Sequence, residues 1–142
     1  PAIMEQKDNV VALQKDGDRI VAEHRSDLQK ALKEFSGRDY TFIKCGGEDR
    51  TSQFREQWTD GANVFALAPG VIVGYERNTK TFNALIDHGY SFMNQFEFVE
   101  EYSRNPLVLS EENKIAISFQ GHELCRGRGG ARCMTMPVSR AK

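Results

Sequence analysis

Two separate stretches of this chain carry the same succession of patterns, and that repetition limits the folds open to it. Asn9 to Leu13 and Arg19 to Ala22 read as strands joined across Lys15-Asp16-Gly17-Asp18, and Asp-Gly between such runs signals a hairpin. Ser26 reads as the N-cap of a helix whose Leu28, Ala31, Leu32 and Phe35 share one face; Gly37 closes it, and Tyr40 to Cys45 follows as a strand. The order then recurs. Asn63 to Leu67 and Val71 to Tyr75 are strands around Ala68-Pro69-Gly70, and Asn78 or Thr79 caps a helix bearing Phe82, Leu85 and Ile86. Gly89 ends that helix and Tyr90 to Met93 closes the unit. The two helix starts, Ser26 and Thr79, lie about 53 positions apart. Units of this kind cannot bury their own faces, so the expectation is an α/β (α+β) chain of stacked or ring-closed ββαβ units. The units cover about 9–45 and 62–94, followed by a tail over 95–142. Two such units do not close a ring.

Between and after the units the patterns are shorter. Thr51 to Trp58 predicts a helix with Phe54 and Trp58 on one face. Gln95 to Tyr102 predicts another, with Phe96, Val99 and Tyr102 inward. Residues 103–114 are polar and read as a loop, and Ile115 to Phe119 alternates as a strand.

The chemistry concentrates in Glu123 to Pro137, which holds Arg126, Arg128 and Arg132, Gly127, Gly129 and Gly130, and Cys125 and Cys133. The glycines are expected to allow positive φ and close approach of the backbone to a ligand. Met134 to Val138 reads as a short apolar strand. A thiol between a cationic loop and such a strand favours the thiolate, because nearby guanidinium groups lower its pKa from a free value of about 8.5. A buried structural cysteine beside a basic phosphate-binding loop fits the spacing equally well. A single Arg-Gly-Arg-Gly-Gly copy is weak ground for an RNA-binding segment.

Composition narrows the classes further. The formal net charge of -1 gives no global pull toward nucleic acid or membrane, and neither is expected as a partner. No apolar run approaches the ~20 residues that span a bilayer. Cys45, Cys125 and Cys133 are three in number and lack C-x-x-C spacing, which argues against a disulfide framework and a zinc site; a reducing, cytoplasmic setting and no cofactor are expected.

Several ordered blocks carry a family resemblance. Arg55-Glu56-Gln57-Trp58, Asp60-Gly61-Ala62-Asn63, Pro69-Gly70-Val71, Gly74-Tyr75-Glu76-Arg77-Asn78-Thr79, Glu123-Leu124, Arg126-Gly127-Arg128-Gly129-Gly130 and Cys133-Met134-Thr135-Met136-Pro137 resemble the arginine deiminase family in the same order. The resemblance implies a five-bladed α/β propeller, the pentein fold, of which this chain would form the C-terminal part. It also implies hydrolysis of L-arginine to citrulline and ammonia through a covalent intermediate on cysteine. On that resemblance Cys133 is the nucleophile, Arg128 a movable gate near the substrate α-carboxylate, and Gly127 a backbone contact to substrate. Arg126, Arg132, Arg55, Glu56 and Trp58 are expected to act structurally. The segment over about 97–114 is additional to the family pattern.

The family's acid–base histidine sits in a His-x-Asp pair. His24, His88 and His122 are none of them followed two residues later by aspartate, and solvated or capping roles are expected for the first two. The histidine and the paired carboxylates that clamp a guanidinium are therefore expected upstream of Pro1, and this chain alone is expected to be inactive. The missing N-terminal part of the same protein becomes an expected partner, and a homo-oligomer is expected. Two other readings stay open at this point. One is a different guanidine-modifying pentein enzyme, such as an amidinotransferase or an agmatine or peptidyl-arginine deiminase. The other is a non-catalytic pentein-like binding module.

Overall fold

The computed structural model describes residues 10–108, 110 and 112–139. The chain forms two compact units, Pro1–Phe42 and Ile43–Lys142. In the first, β1 (Val10–Asp16) and β2 (Arg19–Arg25) pair antiparallel along their whole length, leaving Gly17-Asp18 as a two-residue turn. Asn9, expected to open the first strand, lies outside the described residues. Helix α1 (Leu28–Ser36) begins one residue later than expected. Asp27, not Ser26, is its N-cap: the backbone there is extended, and the carboxylate accepts the N–H of Lys30 at 3.0 Å. Gly37 closes the helix in the left-handed region, as expected.

This unit leaves its apolar faces open, as expected of units that cannot bury their own, and a strand expected at its end is missing. Of the apolar face of α1, only Ala31 is buried; Phe35 is 51% exposed, and Leu13 and Ile20 on the hairpin are 69% and 75% exposed. The expected strand over Tyr40 to Cys45 does not form. A strand exists only against a partner, and no ladder among the described residues includes these positions. The Tyr40 carbonyl is instead satisfied by the Gln29 side-chain amide at 2.8 Å.

The second unit contains α2 (Arg50–Trp58), β3 (Phe65–Ala68), β4 (Val71–Tyr75), α3 (Thr79–Asp87), β5 (Ser91–Asn94), α4 (Gln95–Arg104) and β6 (Ile115–Phe119). Its sheet has the order β3-β4-β6-β5. The β3–β4 hairpin is antiparallel, whereas β6 runs parallel to both of its neighbours. The closing strand β5 therefore does not lie beside its own hairpin, because β6 is inserted between them.

That insertion explains the burial of β6. Its side chains do alternate between faces, but both faces are covered. Ile115 and Ile117 join Val71, with Phe98 and Tyr102 of α4 packed on them. Ala116 joins Phe82 and Leu85 of α3, with Ile43 and Ile72 alongside. The expected half-buried strand is thus a central one, buried from Ile115 to Ser118, as parallel strands between helices are. Helix α4 is anchored by a capping box between Asn94 and Glu97. It presents Phe98 and Tyr102 to the sheet; Phe96 and Val99, expected inward, are 67% and 64% exposed.

One buried carboxylate joins α2 to α3. Asn78 makes no side-chain cap for α3. Glu56, fully buried, supplies that cap from α2: it accepts the N–H of Lys80 at 2.9 Å and the N–H and hydroxyl of Thr81 at 2.7 Å each. Arg55 lies 3.3 Å from the same carboxylate. An anion at a helix N-terminus meets both the free N–H groups and the positive end of the helix dipole. Across both units the chain is a mixed α+β structure of two sheets and four α-helices among the described residues. No helix among them is long and apolar enough to cross a membrane.

Glu56→Ala strips four hydrogen bonds, one of them from Arg55, from a buried site and is expected to destabilise the chain by about 1–3 kcal/mol, read as a lower urea midpoint at unchanged slope. A midpoint equal to wild type would deny Glu56 this role. The exposed apolar faces of α1 and the hairpin predict that the isolated 16.1 kDa chain self-associates. Size-exclusion chromatography giving a monomer at all concentrations would contradict this.

Candidate active site

The glycine–arginine segment begins with a short 3-10 turn, Leu124–Gly127, whose Arg126 forms an ion pair with Glu123. Arg128 follows in the left-handed region with φ 61 and ψ 48. The positive φ anticipated for the glycines thus falls on an arginine, and none of Gly127, Gly129 and Gly130 adopts it. Gly130 serves the other anticipated purpose, close approach. A Cβ at that position would lie 2.5 Å from the Cβ of Asn63 and 2.7 Å from its carbonyl oxygen.

That approach brings Asn63 to Cys133. The Asn63 side-chain amide donates to Cys133 Sγ at 2.8 Å. Asn63 is itself held in a turn, its N–H donating to the Asp60 carbonyl at 3.0 Å. The Cys133 thiol is exposed and its pKa is lowered. The Asn63 hydrogen bond is the largest cause, followed by a backbone hydrogen bond from Gly130; Arg132 contributes least, and the Asp60 carboxylate opposes the shift. The sequence reading expected arginine charge to set this thiol. Directed hydrogen bonds dominate instead, because an exposed guanidinium is screened by water.

The other two cysteines differ. Burial raises the pKa of Cys45, and Thr81 donates to its sulfur at 3.5 Å. Cys125 is buried and receives Arg77 Nη1 at 2.9 Å. The same guanidinium donates to the His122 carbonyl at 3.2 Å, so Arg77 ties down the start of the loop.

Tyr75, at the end of β4, ties down its middle. The ring is buried, and its hydroxyl donates to the Gly129 carbonyl at 2.7 Å. Phe119 packs against it at 4.8 Å between ring centroids, and a Cβ at Gly121 would strike the ring at 2.1 Å. The loop therefore hangs from the sheet at a fixed point. After it, residues 131–134 form a turn, and the apolar strand expected over Met134 to Val138 is absent. Met136 and Val138 are 80% and 93% exposed there, and no ladder among the described residues includes them.

Beside Cys133 an open cleft of ≈ 690 Å³ is lined by Gln57, Asp60, Asn63 and Arg132, among others. Asp60 has positive φ at the turn before Asn63, and its Oδ2 is buried without a hydrogen-bond partner. Arg128 lays its guanidinium over the Trp58 ring, 4.5 Å from the centroid. Gly127 has open space where a Cβ would stand. The histidines take other places: His24 is on β2, His88 is the C-cap of α3, and His122 has φ 44 within the turn before the 3-10 segment. No group of three or more His, Cys, Asp or Glu among the described residues could hold a metal ion.

Sequence pattern alone assigns no chemical role to Asn63 or Tyr75. Both lie inside the recognised blocks, and a polar Asn opening an apolar strand was the available signal for the first. Asn63→Ala is expected to raise the Cys133 pKa toward the ordinary thiol value. Iodoacetamide labelling of Cys133 across pH follows the thiolate fraction, which is lost as pH falls through the depressed pKa, so the variant's profile shifts to higher pH. Superimposable profiles would show that the amide does not set the thiol.

A sequence model of the arginine deiminase family matches residues 1–140. An arginine deiminase of Bacillus cereus strain B4264 is 40% identical over 145 residues, covering 99% of this chain and 30% of that protein. An arginine deiminase of Listeria monocytogenes serotype 4a is 38% identical, covering 99% of this chain and 29% of that protein. One of Latilactobacillus sakei is 36% identical, covering 88% of this chain and 25% of that protein. The chain thus spans about 30% of the length of the curated relatives it matches. With the family model matched over residues 1–140, the chain belongs to the arginine deiminase family.

Proposed function

We propose that the protein carrying this chain hydrolyses L-arginine to L-citrulline and ammonia, with Cys133 as nucleophile. The observation that carries this is the Asn63–Cys133 contact of 2.8 Å: an exposed, hydrogen-bonded thiol with a lowered pKa, in a chain of this family. The guanidinium carbon is a poor electrophile, since its charge is spread over three nitrogens. A thiolate is nucleophilic near neutral pH and suits the attack.

The Cys133 sulfur bonds to the guanidinium carbon, and one C–N bond breaks. The departing nitrogen takes a proton and leaves as ammonia, so a cationic amidino-thioether remains on Cys133. Water then adds to that carbon and gives up protons; the C–S bond breaks and the electron pair returns to sulfur. The products are citrulline and ammonium, and the positive charge of the substrate leaves on the latter.

Arg128 receives the substrate α-carboxylate, for which its five N–H donors and planar fork are suited. Gly127 offers backbone to the substrate from an open position. The proton donor for ammonia and the carboxylates that clamp the guanidinium lie on polypeptide outside this chain, so the chain alone is inactive. The same polypeptide completes the pentein propeller and covers the apolar faces left open on the first unit. The assembled enzyme is a cytoplasmic homo-oligomer.

Citrulline formation by the full-length protein tests the proposal. Cys133→Ala is expected to reduce turnover by at least about a thousandfold, as loss of a covalent nucleophile does. A variant as active as wild type would end it.

A further inference from the structure

The contact between Trp58 and Arg128 is unlike the others at the site. Trp58 is the last residue of α2 and is 65% exposed, so its ring fills no core. Its face is covered by the Arg128 guanidinium at 4.5 Å. Arg128 sits on a left-handed backbone that side chains rarely adopt, fixed by its own N–H donating to the Cys125 carbonyl at 3.1 Å. Two neighbouring arginines have carboxylate partners: Arg126 has Glu123, and Arg55 has Glu56. Among the described residues the Arg128 guanidinium has neither an ion pair nor a side-chain hydrogen bond, and it lies over the indole face.

Stacking engages the plane of a guanidinium and leaves its edge free. The edge carries the N–H groups that grip a planar anion with two parallel hydrogen bonds. A flexible arginine must be ordered when it binds, whereas one already stacked has lost much of that freedom beforehand. We propose that Trp58 is a positioning residue for carboxylate recognition: its ring holds the Arg128 guanidinium flat, with the edge open to the substrate carboxylate. This rests on the reading of Arg128 as the carboxylate-binding residue. Trp58 touches neither substrate nor the reacting atoms, so its influence falls on binding rather than on chemistry.

An exposed guanidinium–aromatic stack changes an equilibrium by a factor of about two to five. The test is a double-mutant cycle in the full-length protein, with KM and kcat for L-arginine as readouts. Trp58→Leu is expected to raise KM about two- to five-fold with kcat unchanged, and Trp58→Phe, which keeps a π face, to recover part of that loss. In an Arg128→Ala background, Trp58→Leu is expected to add nothing. An unchanged KM in Trp58→Leu, an equal rise in the Arg128→Ala background, or a fall in kcat alone would overturn the positioning role. If Arg128→Ala itself leaves KM unchanged, the carboxylate-binding reading of Arg128 fails, and the role given to Trp58 fails with it.

Discussion

The missing side chain at Gly130 is the constraint on which the site depends. Any Cβ there would collide with Asn63, and Asn63 is the residue whose amide holds the Cys133 sulfur. Backbone packing in one place thus sets thiol chemistry in another. The Asn63–Gly130 contact joins residues 67 positions apart in sequence, from the turn before β3 to the end of the glycine loop. Tyr75 fixes the same loop from the sheet, and Arg77 fixes its start through the His122 carbonyl and Cys125. Three points of attachment make the thiol's surroundings a product of tertiary structure rather than of its sequence neighbours.

The sheet beneath depends on β6. Its parallel pairing with β4 and β5 puts Ile115, Ala116 and Ile117 between α3 and α4, where they form two buried apolar clusters. Glu56 then fixes α2 to the start of α3. The end of α2 carries Trp58, and the residues after it lead through Asp60 to Asn63. The buried carboxylate therefore supports the positions from which both Arg128 and Cys133 are contacted.

Local patterns were legible wherever the signal was local. The Asp-Gly hairpin, Gly37 as a helix stop, the span of β4 and the span of β6 all follow from spacing and turn chemistry. What failed depended on partners. The strands expected at Tyr40 to Cys45 and Met134 to Val138 have apolar patterns but no ladder among the described residues. Along α4, Phe96, Phe98, Val99 and Tyr102 offer two helical stripes, and only the position of the sheet selects Phe98 and Tyr102 as the inward pair. Likewise the arginines around Cys133 are legible in the sequence, but the hydrogen bond that most lowers its pKa comes from a residue distant in sequence. The role of Cys133 in turnover is a proposal that the sequence blocks and the perturbed thiol both support.

The covalent step can be observed directly. Full-length protein turning over L-arginine would be quenched in acid, digested and analysed by peptide mass spectrometry. The proposed chemistry predicts an amidino adduct of the substrate on the peptide containing Cys133, formed and lost on the timescale of turnover. An adduct on any other side chain, or turnover with Cys133 unmodified throughout, would contradict it.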